Sequence, residues 1–167
     1  RKLIISLAIP TIISMLITAI YNVADTFFVS RLGVSASGAV GVVFPLMSII
    51  QAVGFTLGMG GGSNISAKLG EKNNEEAQKI GAASFYGSLF FGLLLTIFGM
   101  IFIKDLLMLL GSTETTLPYA YDYAKYIIYG APIMASSFVL NNILRSEGKA
   151  KFSMIGLTIG GVLNCIL

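Results

Sequence analysis

Residues 80–103 read IGAASFYGSLFFGLLLTIFGMIFI, with Lys79 before them, Lys104 after them and no charged side chain between. A hydrocarbon core about 30 Å thick is crossed by about 20 apolar residues in helical form. Lipid offers no partner for backbone amides, so such a run closes its own hydrogen bonds as a helix. The same reading applies on either side. Leu3 to Ala24, Leu32 to Ala67 and Tyr126 to Leu144 are also charge-free, and a fifth run extends from Phe152 to Leu167. A transmembrane barrel would show short segments of alternating hydrophobicity instead.

Composition agrees. Hydrophobic residues make up 55% of the 167 and charged residues 11%, with a mean hydropathy of +0.84. A soluble domain carries about 25% charged residues to cover its core, so the soluble classes are excluded. The expected class is an all-α polytopic membrane protein. A signal peptide at Arg1-Lys2 is excluded by the length of the first run and by Asp25. With no histidine in the chain, serine–histidine catalysis and histidine-bound metals are out. Cys165 is alone among apolar neighbours and reads as packing. No acidic pair or reactive cysteine stands out, so an enzyme is not expected.

The segments follow from these runs. A first helix is expected over about 3–29 with Pro10 inside it, and a second over about 36–66 with Pro45. A third is expected over about 76–103, opened by an Asn73–Glu76 capping box. Residues 105–110 are assigned to a membrane interface, and Gly111-Ser112-Thr113 breaks the chain. The fourth helix is expected over about 117–145 with Pro132, and the fifth from about 152. The sequence begins without methionine and stops inside an apolar run, so further residues are expected at both ends, most of them after Leu167.

Lys and Arg in short loops face the cytoplasm. Arg1, Lys2, Lys68, Lys72, Lys79, Arg145, Lys149 and Lys151 fall on one side, against Arg31, Lys104 and Lys125 on the other. The expectation is a multi-pass protein of the inner membrane with a cytoplasmic N-terminus. The net charge of +3 is accounted for by this bias without a nucleic-acid partner.

Gly58-Met59-Gly60-Gly61-Gly62 superficially resembles a nucleotide-binding loop, but the glycine spacing fails and the run ends a membrane helix. Close helix packing is the expected role, and Gly156 with Gly160 reads the same way.

Asp25 is the most informative residue. An ionisable side chain at the centre of a membrane helix costs about 2.5–3.5 kcal/mol on insertion scales and marks a functional site by default. Asp25 lies near Arg31, so its depth is moderate, and pairing with Arg31 or the headgroups is the structural alternative. Ser14, Thr18, Tyr21, Asn22 and Asp25 recur three or four apart and form one polar stripe. Ser137, Asn141 and Asn142 offer a matching face on the fourth helix, and Asn164 on the fifth. A carboxylate with amide oxygens and a phenol suits a proton or a hard cation; the alternative is hydrogen bonding between helices, preferred for Asn142. Protonation of Asp25 would depend on whether water reaches it, and Pro10 gives the same helix a place to bend.

The order of motifs resembles a family. Leu7-Ala8-Ile9-Pro10, Tyr21-Asn22-Val23-Ala24-Asp25-Thr26 and Ser30-Arg31-Leu32-Gly33 resemble the first helix of multidrug and toxic compound extrusion (MATE) transporters. Ala67-Lys68-Leu69-Gly70 with Glu75-Glu76-Ala77 resembles their second loop. Leu109-Leu110-Gly111-Ser112 with Tyr121-Asp122-Tyr123 resembles their entry to the fourth helix. Asn141 to Lys149 (NNILRSEGK) and Gly160 to Asn164 (GGVLN) complete the pattern, which is that of the DinF-like branch.

The resemblance implies the greater part of an N-terminal six-helix lobe in a twelve-helix antiporter, with the C-terminal lobe outside this sequence. It implies export of organic, often cationic, drugs or toxic compounds by alternating access, driven by H+ or Na+. It places Tyr21, Asp25, Asn141 and Asn164 in the coupling cluster, with Na+ at Asp25 if sodium is the driver. Thr18, Asn22 and Ser137 are expected to line the substrate cavity, and Pro10 to act as the hinge. No cofactor beyond the coupling ion is expected; the partners are a small organic substrate and the bilayer. The rival reading is a lipid-linked oligosaccharide or polysaccharide flippase, whose cavity would carry cations to hold pyrophosphate; a channel or a membrane assembly subunit is a more distant one.

Overall fold

The computed structural model describes residues 2–31 and 34–166. They form six helices: α1 (Lys2–Ser30), α2 (Val34–Gly70), α3 (Asn74–Ile101), α4 (Ile103–Leu109), α5 (Leu117–Ser146) and α6 (Ala150–Ile166). The expected fourth and fifth segments are therefore α5 and α6. Among the described residues three helices are long and apolar enough to cross a membrane: Ser37–Gly70, Asn74–Ile101 and Leu117–Ser146. Shorter apolar stretches run over Ala8–Ile20 in α1 and Ala150–Leu163 in α6. Large apolar side chains such as Met15, Val23, Phe90 and Ile133 point outward, Ile133 at 71% exposure. Lipid accounts for a surface that water would not tolerate.

The centre of the molecule is a bundle of α2, α3 and α5, with α5 packed on both of the others. Helix α1 lies mainly against α6, and this pair meets the bundle through contacts of α1 with α2 and of α6 with α5. In hydrocarbon, apolar burial does not drive helices together, so close approach and hydrogen bonds carry the packing. A Cβ on Gly54 would lie 2.9 Å from that of Phe138, and one on Gly58 would lie 2.9 Å from the Asn142 amide nitrogen. A Cβ on Gly62 would overlap Ser146, and one on Gly61 would overlap Ser84 of α3. The glycine run thus belongs to helix α2, and its spacing lets α5 and α3 approach. Gly156 and Gly160 differ: among the described residues nothing lies within 4 Å of a Cβ placed on either.

Pro132 shows how a membrane helix accommodates proline. Its missing N–H leaves the Ile128 carbonyl without its usual donor. Thr96 Oγ1 of α3 donates to that carbonyl at 2.8 Å. The helices come close enough because residue 92 is glycine; a Cβ there would stand 2.5 Å from Pro132 Cα.

The turns share one chemistry. Asn73 N donates to Lys68 O (2.9 Å) and Lys72 N to Leu69 O (3.1 Å), with Lys72 at φ 61. The same pair of bonds closes α4 around Gly111 and α5 around Gly148, both at positive φ. These are Schellman caps, and only the α2 cap lacks glycine. The Asn73–Glu76 pair forms with a variation on the expected capping box. Asn73 Oδ1 accepts from Glu76 N at 3.2 Å, while Glu76 accepts from the Asn73 side-chain amide at 3.0 Å. The Asn73 backbone N–H is not available because Lys68 O already takes it.

The third segment is shorter than its charge-free run. Helix α3 stops at Ile101, the chain bends at Phe102 (φ −107), and α4 starts at Ile103. The bend returns Ile103 and Leu107 to the core, where they bury against Ala39, Val43, Leu46, Ala120, Ala124 and Ile128.

Candidate ion and substrate site

On α1 the polar stripe is built around Pro10. Ser14 is buried at 3% exposure and its Oγ donates to the Pro10 carbonyl at 2.8 Å. Thr18 Oγ1 donates to the Ser14 carbonyl at 2.9 Å. Hydroxyls bonded back to the preceding turn slightly weaken and bend a helix. The two serve the same stretch as the proline, whose ring removes a helical donor. Tyr21, Asn22 and Asp25 continue this face on the α1 backbone, but their side chains lie outside the described residues, as does that of Asn164 on α6. Beyond them the Arg31 guanidinium sits over the Phe27 ring, 4.7 Å from its centroid.

The α5 face is described in full. Ser137 is exposed, and its carbonyl accepts from Asn141 Nδ2 at 2.9 Å. Asn141 Oδ1 in turn accepts from Ser153 Oγ of α6 at 2.7 Å. Arg145 Nε reaches the same Ser153 oxygen at 3.4 Å. Asn141, Ser153 and Arg145 thus join α5 to α6 across the Gly148 turn, and Ser153 is 2% exposed. Asn142 Nδ2 donates to the Phe138 carbonyl at 2.8 Å within α5, and its side chain packs into the space left by Gly58 of α2, so it meets α2 by close contact while its amide bond stays inside its own helix.

This geometry separates the candidates by level. Asn164 is eleven residues beyond Ser153, a rise of about 16 Å along α6 at ~1.5 Å per residue. Asn141 therefore sits at the Arg145 end of the α5–α6 pair, and Asn164 sits well along α6 from it. Ser153 and Arg145 were not singled out as chemistry in the sequence. A lone serine is common in membrane helices, and Arg145 is accounted for in sequence as a topology charge. The signal was the i, i+4 spacing of Asn141 and Arg145, which puts both on one face across a short turn from α6. Among the described residues no group of three or more Cys, Asp or Glu side chains gathers as a metal site. The Asp25 carboxylate is not among them.

The MatE family model matches residues 10–167. The "FAD transporter" of Shewanella oneidensis is 31% identical over 99% of this chain. "Multidrug export protein MepA" of Staphylococcus saprophyticus is 30% identical over 96%. Among solved structures, the outward-facing conformation of a multidrug resistance MATE family transporter of the MOP superfamily superposes with a TM-score of 0.94, at 35% identity over 99% of the chain. The chain spans 37%, 36% and 37% of these three proteins respectively. A family model over nearly all of the chain, and a superposition over 99% of it at a TM-score of 0.94, lead to one conclusion: the chain belongs to the MatE family of membrane transporters.

Proposed function

We propose that the protein containing this chain exports organic compounds by alternating access, using an inward gradient of H+ or Na+. The family match carries the transport reading. The coupling reading is supported by the position of Asp25 on α1, the helix that also carries Pro10 and the back-bonded Ser14 and Thr18 hydroxyls. A carboxylate that gains a proton or sodium ion as water reaches it changes the local charge of a helix already weakened at Pro10. In this reading Tyr21 and Asn164 complete the ion site near Asp25, and Thr18, Asn22 and Ser137 line the substrate cavity. Asn141 contributes from the other end of α6, through its bond to Ser153. The bias of eight cations to one side supports a cytoplasmic location for the α2–α3 and α5–α6 turns of an inner-membrane protein.

The substrate class follows less directly. Relatives are named both for multidrug export and for FAD transport. No Lys or Arg occurs between Lys2 and Arg31, between Arg31 and Lys68, or between Lys79 and Lys104. Helices without inward cations suit neutral or cationic organic compounds better than a pyrophosphate-linked lipid. The test is export of a fluorescent cationic dye from liposomes holding the full-length protein, with a pH or a sodium gradient imposed separately. Export driven by one gradient supports the proposal and names the ion. No dye movement under either gradient, with a lipid-linked oligosaccharide moved instead, would favour the flippase.

A further inference from the structure

A crevice of about 680 Å³ opens between α2, α3 and α5 at the cation-rich end of the molecule. Its floor is apolar, with Ile65, Phe85 and Ile143, and its mouth carries Gln78, Glu147 and Lys149. From Gln78 to Phe85 is seven residues, or about 10 Å of helix rise. The crevice therefore crosses from the charged turns into the apolar run, the same polarity step that a phospholipid makes between headgroup and acyl chain. The charges at its mouth are balanced. Lys149 Nζ lies 2.8 Å from Glu147 Oε2. The neighbouring cations are engaged too: Lys68 with Glu71 and Glu76, and Lys79 with Glu75. Of the residues that line the crevice, Lys149 is the cation and Glu147 the acid, and the two are paired, so the lining itself carries no unmatched charge to select an anionic lipid. An adjacent acid and base instead match a headgroup that carries both charges.

We propose that this crevice binds a zwitterionic aminophospholipid of the phosphatidylethanolamine type, with the phosphate on Lys149, the primary ammonium on Glu147 and an acyl chain along Phe85 and Ile143. The protein's own ion pair opens and each partner takes its counterpart on the lipid, so net charge does not change. A quaternary choline cannot donate a hydrogen bond to Glu147, and a glycerol headgroup offers it no cation. Selectivity should therefore rest on Glu147, and general phospholipid affinity on Lys149.

The experiment is native mass spectrometry of the full-length protein with phosphatidylethanolamine, phosphatidylcholine and phosphatidylglycerol of matched chains added at equal concentration. The expected result is preferential retention of phosphatidylethanolamine, by roughly tenfold, the ratio given by about 1.4 kcal/mol. Glu147→Gln should abolish the preference, and Lys149→Gln should weaken all three lipids. Ile143→Trp, which fills the floor and leaves the headgroup pair intact, should also weaken all three. Asp122→Asn, which breaks the Lys125 ion pair at the other end, should change nothing. A monodisperse, dye-binding preparation of each variant separates loss of the site from loss of the fold. Equal retention of the three lipids, a preference for phosphatidylglycerol, or a preference that survives Glu147→Gln would each overturn the proposal. So would a Gln78→Cys crosslink to another segment of the full-length chain, since protein would then fill the crevice.

Discussion

Replacing Thr96 by valine removes one hydroxyl and keeps the side-chain shape. In the wild type that hydroxyl is the donor to the Ile128 carbonyl, which Pro132 cannot serve. A hydrogen bond between membrane helices contributes about 0.6–2 kcal/mol, and an unsatisfied buried acceptor costs about 1–3 kcal/mol. Thr96→Val should therefore destabilise the protein by about 1–3 kcal/mol. The same change should cost far less beside Pro132→Ala, because the restored amide at position 132 can donate to Ile128 O within the helix. The four proteins form a double-mutant cycle with an expected coupling of about 1–2 kcal/mol. Reversible unfolding of the full-length protein in mixed micelles gives the four stabilities. An equal cost of Thr96→Val in both backgrounds would refute the dependence of the carbonyl on Thr96.

Three further substitutions have defined outcomes. Gly92→Ala drives a Cβ to 2.5 Å from Pro132 Cα, a backbone atom that cannot step aside, so unfolding should show a loss of about 1–3 kcal/mol. Gly60→Ala, in open space, is its control and should stay within about 0.5 kcal/mol of wild type. Pro10→Ala restores a helical donor in α1 and should reduce gradient-driven export while leaving dye binding intact. Transport with unchanged rate and pH dependence in that variant would end the hinge role.

What could be read in the sequence was whatever a single helix determines by itself. A charge-free run such as 80–103 answers to bilayer thickness alone, and Asp25 stands out as a carboxylate within an expected membrane helix. Asn73 and Glu76 announce the start of α3 because capping is local. The contacts between helices were not legible, because they depend on residues far apart in the chain. Thr96 meets Ile128 and Gly92 meets Pro132 only once α3 and α5 are packed. The bond of Asn141 to Ser153 likewise depends on a partner twelve residues away, brought to it by the turn between α5 and α6. The bend at Phe102 carries no proline or glycine, and it becomes intelligible only when Ile103 and Leu107 are seen returning to α2 and α5. Gly156 and Gly160 carry the spacing of a close-packing motif, but among the described residues no atom comes within 4 Å of a Cβ placed on either.

The most direct test of the account is Asp25→Asn in the full-length protein, reconstituted beside wild type and assayed for dye binding and for gradient-driven dye export. The account predicts that the variant binds dye with unchanged affinity and exports none against the gradient, because the carboxylate that takes up the coupling ion is gone. Export at the wild-type rate, with the same dependence on the driving ion, would contradict it and move coupling away from α1.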